Sequence, residues 1–413
     1  MEDDSRKKHN GYKIEVNAEY FSNEDFIKDC PNYPFIPSIL PKAKRIIAIG
    51  DIHGDMSLAI KSFKLASLID DDYNWIADPP ETIVVQVGDQ VDSCRPIPNV
   101  YNCHKKKYDG DKADDLNVIN FFDDMHKKAS SVGGAVYSLM GNHEYMNSQA
   151  EFKYVSYDNY YNFKYKDKNG KLYEGPSGRR KAFKTGGPLA RHLACSRNSV
   201  IVIGSNMFVH AGVLPILATR LKFYNIDSGS KIKYLNAIFR KWLLRKLSED
   251  ENKVAIDLIN NSKYSPFWTR IFGSIPNDTD LESGKCFDSV KKALEVYNVG
   301  HIIVGHTPQL FTNEDGINGT CYEKKNKNDK KLYRVDGGFA RAFKIFDKQE
   351  LVQVLEIIDD NIFNILTDKT IETNIEEEKP SSINISDKFL KNISSMYSQN
   401  RTSKKEKRKN GFK

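Results

Sequence analysis

One local pattern recurs along this chain and limits what it can fold into: a short apolar run followed by an acidic, amide or imidazole side chain with a glycine close by. Several of the runs are rich in β-branched residues, which is typical of buried strands. The runs lie at 45–49, 82–87, 135–139, 207–209 and 302–304. Because a sheet fixes the positions at which its strands end, side chains in such turns can be held together as a site.

Segments with apolar residues at helical spacing, such as 59–66 and 116–125, follow the first two runs. Three strand–turn–helix units in series predict a parallel sheet with crossover helices. Residues 332–335 and 351–357 predict further strands, so the end of the core is expected to be all-β. The sequence therefore indicates a fold with both α/β and α+β character.

Composition divides the chain into three parts. Residues 1–40 are polar and then rich in proline, and we expect them to form an extended N-terminal arm. Residues 41–366 hold the predicted folded domain, and 367–413 form a polar tail with a basic end, which we expect to be disordered because it lacks apolar residues. Within the domain, the aromatic and Lys-rich stretch 150–190 is expected to be an insertion that packs as a cap. The alternative is a wall that faces a substrate.

Charge bears on the partners and the compartment of the protein. The formal net charge of the 413 residues is +7, but much of the excess lies near the C-terminus, so the core gives no indication of nucleic acid binding. No apolar run is long enough to span a membrane, and the N-terminus has no apolar signal core. We therefore expect an intracellular, cytoplasmic protein. We expect the basic stretch 404–409 to be a plain solubilising tail, and the alternatives are a nuclear address or contact with an anionic surface.

The six cysteines are scattered along the chain, as expected for reduced thiols in such a compartment. Only Cys94 and Cys103, the latter followed by His104, suggest a grouping. A disulfide or a zinc clip is the alternative for that pair.

Side chains that can bind metal ions occupy five strand ends, each with a glycine within two residues. They are Asp51 with His53, Asp89, Asn142 with His143, His210, and His306. One such turn has a structural explanation, but five on one chain indicate that the turns converge. The donors are oxygen and nitrogen with no thiolate, which favours manganese, iron or zinc over magnesium or calcium.

The number of donors is sufficient for two divalent or trivalent transition-metal ions. The expected ligand sets are Asp51, His53 and Asp89 for the first ion and Asn142, His210 and His306 for the second, with Asp89 as the bridge. A carboxylate bridge places the ions about 3.5–4 Å apart, which supports in-line displacement at phosphorus. A bridging water would then be hydroxide at neutral pH and would act as the nucleophile.

His143 directly follows Asn142, and neighbouring residues do not easily point at one ion, so we predict that His143 is a general acid. Such an acid needs a carboxylate that orients it and keeps it protonated, and Asp92 is the candidate. A phosphate also needs a fixed cation, for which the planar fork of arginine is suited. Arg95 and Arg270 are the candidates for this phosphate-binding role.

Together these motifs resemble those of the calcineurin-like metallophosphoesterases. The Gly-Asn-His-Glu turn and the Asp-x-x-Asp spacing are similar to the phosphoprotein phosphatase branch, and most similar to its Shewanella-like protein phosphatases. The resemblance is carried by Asp51-x-His53, Gly88-Asp89-Gln90-Val91-Asp92, Gly141-Asn142-His143-Glu144, His210, Trp268-x-Arg270, Gly305-His306 and the segment 335–342. It spans residues 44–358 and implies a central β-sandwich flanked by helices in four layers, a dinuclear site and phosphomonoester hydrolysis.

The ligand and acid positions that the resemblance implies agree with those derived from the residues. One departure concerns the phosphate-binding arginine: the family has Asp-Arg-Gly where this chain has Asp92-Ser93-Cys94-Arg95. We expect Arg95 to replace the missing arginine from two positions further along. If Arg95 does not, Arg270 must do more of the phosphate binding.

The leading expectation is a metal-dependent phosphomonoester hydrolase with 41–366 as its catalytic domain, acting on phosphoserine, phosphothreonine or phosphotyrosine in proteins. One alternative is a hydrolase of dinucleoside polyphosphates, since the lysines at 105–107 would suit several phosphates. Another is a phosphate-binding module that keeps the fold without catalysis. The presence of every expected ligand and of the acid argues against that module.

Overall fold

The computed structural model of the protein describes residues 22–97, 101–223, 226–312, 316–346 and 351–368. The predictions for residues 1–21 and for the tail beyond 368 lie outside these ranges. Within them the chain forms two large sheets with helices on their outer faces.

The strands are β1 (Ile39–Leu40), β2 (Arg45–Ile49), β3 (Ile83–Gln86), β4 (Ala135–Ser138), β5 (Lys164–Lys166), β6 (Leu172–Glu174), β7 (Val200–Ile203), β8 (Asn206–Val209), β9 (His301–Val304), β10 (Asn318–Glu323), β11 (Asn326–Arg334), β12 (Gln353–Ile358) and β13 (Ile362–Thr367). The α-helices are α1 (Asn23–Asp29), α2 (Met56–Leu65), α3 (Asp115–Ser130), α4 (Asn142–Ser148), α5 (Tyr157–Tyr161), α6 (Gly175–Phe183), α7 (Pro188–Ser196), α8 (Pro215–Arg220), α9 (Ser228–Leu244), α10 (Glu249–Asn260) and α11 (Lys292–Tyr297). A π-helical turn, Cys286–Lys291, leads into α11.

The two large sheets differ in how their strands pair. The five-stranded sheet has the order β13-β12-β2-β3-β4, in which β2, β3 and β4 are parallel and β12 is antiparallel to β2. The six-stranded sheet has the order β1-β7-β8-β9-β11-β10. In it, β7 and β8 form a hairpin around Gly204 and Ser205, while β8, β9 and β11 are parallel neighbours. The predicted parallel core with crossover helices corresponds to β2, β3 and β4.

Alternation of side chains along the strands produces the layers. In β2, Ile46 and Ala48 lie in the apolar cluster between the two sheets, whereas Ile47 lies in the cluster formed with α2 and α3. In β7, Ile201 lies between the sheets, and Val200 packs among α7, α9 and α10. The domain therefore has four layers, in the order helices, sheet, sheet and helices. The predicted β-sandwich flanked by helices is confirmed.

The inserted stretch 150–190 contains α5, the β5–β6 hairpin and α6. Phe163 and Phe183 from this stretch are buried in the same cluster as α7 and α9. This stretch therefore packs onto the outer helical layer and extends it.

The described part of the N-terminal segment contains helical as well as extended chain. Ser22 caps α1, and Phe26 on that helix is buried. Asp29 accepts hydrogen bonds from Lys241 at 3.1 Å and Lys246 at 2.8 Å, which lie in and just after α9. Further on, β1 pairs with β7, so this segment is attached to the domain at both ends.

An ion network connects α3 with α7. The carboxylate of Asp123 accepts hydrogen bonds from Nη1 of Arg197 at 2.6 Å and from Nε2 of His192 at 2.7 Å. Burial alone would raise the pKa of Asp123, but Arg197 and His192 outweigh it and hold the pKa below its usual range. Arg197 also donates to Oε1 of Gln90, in the turn after β3, at 3.2 Å.

The prediction of reduced thiols is wrong. All six cysteines are paired in disulfides, as Cys30–Cys195, Cys94–Cys103 and Cys286–Cys321. The disulfide alternative for Cys94 and Cys103 is therefore the correct one. Two of the pairs span 165 and 35 residues of sequence, so only the tertiary fold brings their Cα atoms within 5.6 Å.

Within the ranges that the structure describes, no helix has the length and apolar character needed to cross a membrane.

Candidate metal centre

The turns that follow five strands meet at one end of the sandwich. Those after β2, β3 and β4 come from the five-stranded sheet, and those after β8 and β9 come from the six-stranded sheet. The six predicted ligands lie in these turns and are all buried: Asp51, His53, Asp89, Asn142, His210 and His306. The structure thus brings together every side chain that was predicted to bind metal.

One half of the centre is built around the side-chain oxygen of Asn142. Oδ1 of Asn142 lies 2.9 Å from Nε2 of His210 and 2.8 Å from Nδ1 of His306. Nε2 of His210 also lies 3.3 Å from Oδ2 of Asp89. The ligand atoms of Asp89, His210 and His306 lie within 4.8 Å of one another, close enough to hold one ion.

The other half lies on the opposite side of Asp89. Nε2 of His53 is 3.8 Å from Oδ2 of Asp51 and 3.9 Å from Oδ2 of Asp89. Oδ2 of Asp89 is therefore within 4 Å of donors in both halves, as a bridging ligand would be. Ligand atoms of His53, Asp89 and His143 also lie within 4.8 Å of one another, so His143 borders this half as well.

Backbone carbonyls orient two of the imidazoles. Nδ1 of His210 lies 2.9 Å from the carbonyl oxygen of Val87, and Nδ1 of His53 lies 3.3 Å from that of Val91. Assigning the proton to Nδ1 in each ring allows it to donate to the carbonyl and leaves Nε2 as a lone-pair donor toward the centre. Both rings are thus held in the tautomer that can bind a metal ion.

Burial sets the electrostatics of the centre. It raises the pKa of Asp51, and the neighbouring carboxylates Asp336 and Asp89 raise it further. Burial also lowers the pKa of His53 and His306, which favours the neutral imidazole that metal binding requires. Carboxylates buried this close together are unfavourable unless a cation lies between them. The donors are a mixture of oxygen and nitrogen atoms, and the carboxylates among them carry negative charge. Such a set fits a pair of transition-metal ions.

Several centre residues have strained backbone conformations. The φ angles of His53, Asp89, Asp92 and His306 are 47°, 56°, 75° and 66°, in the left-handed region that non-glycine residues rarely adopt. Such strain concentrates at functional sites, where the surrounding structure must hold it. In the sequence, the glycines near these residues are the local feature that indicates such tight turns.

Glu144, the last residue of the Gly-Asn-His-Glu motif, joins two of the turns. Its carboxylate accepts hydrogen bonds from the backbone N–H of Gly141 at 2.7 Å, of Asp89 at 3.0 Å and of Gln90 at 2.8 Å. Burial, and then Asp89, raises the pKa of Glu144 to about 7. Glu144 therefore fixes Asp89 relative to Asn142, the first residue of α4.

The predicted acid and its carboxylate are in direct contact. Nδ1 of His143 lies 2.8 Å from Oδ2 of Asp92, and both residues are buried. The backbone N–H of His143 donates to Oδ1 of Asp89 at 2.9 Å, and Nε2 lies 3.8 Å from Oδ2 of the same residue. The ring thus has one nitrogen tied to Asp92 and the other beside the centre.

Arg95 and Arg270 line the cleft over the centre, with Tyr154, Trp268 and Phe343 as aromatic walls. The Arg95 guanidinium lies 4.6 Å from the ring centre of Phe343 and 5.5 Å from that of Tyr154. Its Nη1 donates to the carbonyl oxygen of Asp92 at 3.0 Å. Tyr154 belongs to the stretch 150–190, so part of that insertion faces the cleft.

Comparison with known proteins identifies the family of this chain. A family model described as calcineurin-like phosphoesterase matches residues 44–310. The chain belongs to the calcineurin-like phosphoesterase family. The resemblance stated from the sequence motifs is confirmed, and so is the fold it implied. As a calcineurin-like phosphoesterase, the protein is a hydrolase of a metal-dependent family.

Relatives of this calcineurin-like phosphoesterase include both uncharacterized proteins and phosphatases. An uncharacterized protein of Acanthamoeba polyphaga mimivirus is 59% identical over 251 residues, which cover 60% of this chain and 98% of the relative. Shewanella-like protein phosphatase 2 of Arabidopsis thaliana is 26% identical over 363 residues, covering 79% of this chain and 78% of the relative. Among solved structures, a cold-active protein-tyrosine phosphatase of a psychrophilic Shewanella has a TM-score of 0.52 at 20% identity, covering 80% of this chain and 83% of that one.

Proposed function

We propose that this calcineurin-like phosphoesterase removes phosphate from phosphorylated proteins by a two-metal mechanism. The observation that carries the proposal is the position of Asp89: one of its carboxylate oxygens lies within 4 Å of His53, His143 and His210. A bridging ligand and an acid are therefore available in one buried cleft. The name of the Arabidopsis relative, a protein phosphatase, supports the substrate class.

The donor set fits two transition-metal ions, of manganese, iron or zinc. The first would be held by Asp51, His53 and Asp89, and the second by Asp89, Asn142, His210 and His306. When bound, such ions lower the pKa of a shared water and neutralise charge on the attacked phosphate.

The chain itself supplies the remaining steps. Arg95 and Arg270, which line the cleft, bind phosphate oxygens and orient the phosphorus. His143 donates a proton from Nε2 to the leaving oxygen while Asp92 holds Nδ1, so the product leaves as a neutral alcohol or phenol. Tyr154 and Trp268 provide apolar walls beside these groups.

A panel of phosphoserine, phosphothreonine and phosphotyrosine peptides beside a dinucleoside polyphosphate tests this function. We expect metal-dependent release of phosphate from at least one peptide and loss of that activity in a chelator. Faster turnover of the dinucleotide would refute the proposal. Of the lysines at 105–107 that favour this alternative, Lys107 is already paired, since its Nζ lies 2.5 Å from Oδ2 of Asp158.

Metal analysis of the purified protein distinguishes the enzyme from a non-catalytic phosphate-binding module. We expect up to two transition-metal ions per chain. A protein that holds no stoichiometric metal and gains no activity with added manganese would be the binding module.

The disulfides bear on the cytoplasmic location expected from the sequence. Three pairs in one chain are typical of proteins in oxidising compartments. Alkylation of thiols in intact cells, before and after reduction, shows whether the cysteines of the protein are oxidised or reduced in its own compartment. Six alkylated cysteines without prior reduction would place the chain in a reducing compartment.

A further inference from the structure

Arg179, on α6 of the inserted stretch, has no role in any motif of the sequence, yet its side chain is fully buried. It lies against the aromatic rings of Phe183 and Phe163, with 4.8 Å and 5.6 Å between the guanidinium carbon and the ring centres. A buried guanidinium needs partners for its donors, because an unpaired charge in the interior is strongly unfavourable.

The partners of Arg179 lie behind the proposed acid. Its Nη2 donates to Oδ2 of Asp115 at 2.7 Å and to Oδ1 of Asp92 at 3.3 Å. Its Nε donates to Oδ1 of Asn147 at 2.8 Å, and its Nη1 donates to the carbonyl oxygen of Asn159 at 3.2 Å. The fork geometry of arginine allows these partners to be held at once, which a lysine ammonium does not.

These contacts divide the two oxygens of Asp92 between two tasks. Oδ2 lies 2.8 Å from Nδ1 of His143. Oδ1 accepts hydrogen bonds from Nη2 of Arg179 and, at 2.9 Å, from Nδ2 of Asn147. The backbone N–H of Asp92 donates to Oδ1 of Asp115 at 3.1 Å. Arg179 therefore holds Asp92 directly through the carboxylate and indirectly through Asp115.

We propose that Arg179 is a positioning residue for proton transfer, which acts through Asp92 to hold the His143 ring toward the leaving oxygen. This inference rests on the proposed phosphatase function. In the step concerned, the bond from phosphorus to the ester oxygen breaks, and the proton on Nε2 of His143 moves to that oxygen. Arg179 touches neither phosphate nor leaving group, so its effect depends on how much the leaving group needs the proton.

Paired substrates separate this role from a general structural one. A phosphoserine peptide has a poor leaving group, and p-nitrophenyl phosphate has a good one that departs without a proton. In Arg179→Gln we expect kcat to fall about 10–100-fold on the phosphoserine peptide, since misplacement by about 1 Å costs about that much. On p-nitrophenyl phosphate we expect less than about a threefold loss. Arg179→Lys keeps the charge but not the fork. Its kcat on the phosphoserine peptide should therefore lie between those of the wild type and Arg179→Gln.

Arg180 offers a matched control, because it is the next residue on the same helix and is exposed. Arg180→Gln should leave both rates and the metal content unchanged. A double variant with Asp92→Asn provides a second check: once Asp92 is changed, Arg179→Gln should reduce kcat on the phosphoserine peptide no further.

A spectroscopic readout decides the inference independently of activity. The proton between Nδ1 of His143 and Asp92 should give a low-field proton NMR signal, assigned by its absence in His143→Gln. We expect Arg179→Gln to shift or broaden this signal and Arg180→Gln to leave it unchanged. An inactive wild-type enzyme would refute the proposed function, and the NMR signal would still report on positioning.

Three results would overturn the inference. They are an unchanged NMR signal in Arg179→Gln, equal losses of kcat on both substrates at full metal content, and failure of both Arg179 variants to fold. The last would make Arg179 a residue of the core alone.

Discussion

The lengths of the loops that the disulfides close predict how much each disulfide contributes to the free energy of unfolding. Removing Cys30–Cys195 by double substitution with Ala opens a link between residues 165 apart, whereas removing Cys94–Cys103 opens one between residues 9 apart. All four cysteines are buried, so the loss of side-chain packing is similar in the two variants. In the chain-entropy description the link lowers the entropy of the unfolded chain by an amount that grows with the logarithm of loop length.

The same relation supplies the magnitude. It gives about 5.2 kcal/mol for the long loop and about 2.6 kcal/mol for the short one, so the long loop should cost about 2.6 kcal/mol more. Cys286–Cys321, with a separation of 35, should fall between them at about 3.8 kcal/mol. The comparison of variants is more informative than the absolute values, because contributions common to the pairs cancel.

Urea unfolding of each double variant in non-reducing buffer, with wild type as reference, measures these losses in the free energy of unfolding. We expect the order Cys94–Cys103, Cys286–Cys321, Cys30–Cys195, from smallest loss to largest. Losses that agree within about 0.5 kcal/mol, or a largest loss for the short loop, would refute the loop argument. The stabilisation would then arise from local packing around the sulfur atoms.

Further predictions concern the site and the ion network. His143→Ala should retain both metal ions but lose about 10²–10⁴-fold in rate on poor leaving groups; kinetics with metal analysis checks this, and loss of metal would contradict the acid assignment. Arg95→Ala should raise KM for phosphopeptides about tenfold or more, as expected for a lost charge-assisted hydrogen bond, with Arg270→Ala measured alongside; unchanged KM and kcat would make Arg95 a loop residue only. Asp123 has a lowered pKa in the folded state, so its stabilisation is present above its unfolded pKa of about 4 and is lost as the pH falls. The free energy of unfolding, measured from pH 6 to pH 3, should depend less on pH in Asp123→Asn than in the wild type. Asp124 is the exposed neighbour, and Asp124→Asn should behave like the wild type. The same pH dependence in Asp123→Asn and the wild type would refute the lowered pKa of Asp123.

Local sequence patterns predicted the strands and the turns at their ends because both depend on neighbouring residues. The β-branched run of β2 and the glycine after it place Asp51 and His53 without knowledge of the fold. The repetition of such a turn at five strand ends, with a common chemistry of donors, then indicated that the turns converge. Asp89 is predicted to be the bridge because the two ligand sets need one carboxylate in common.

Contacts between distant parts of the chain could not be predicted in this way. Arg179 and Asp92 are 87 residues apart, and no periodicity or composition links them. Cys30 and Cys195 are likewise brought together only when α1 docks beside α7. Glu144 lies in a recognised motif, but its contacts with the backbone of Asp89 and Gln90 form only when two turns are placed side by side.

The distribution of the centre along the chain also bears on when it can form during synthesis. The backbone N–H of His306 donates to the Asp51 carboxylate, and these two residues are 255 positions apart. A ribosome that has released the turn after β2 must therefore translate most of the remaining domain before the final imidazole emerges. The proposed ligand set is consequently complete only late in synthesis, so binding of ions through all of these residues would follow the emergence of His306.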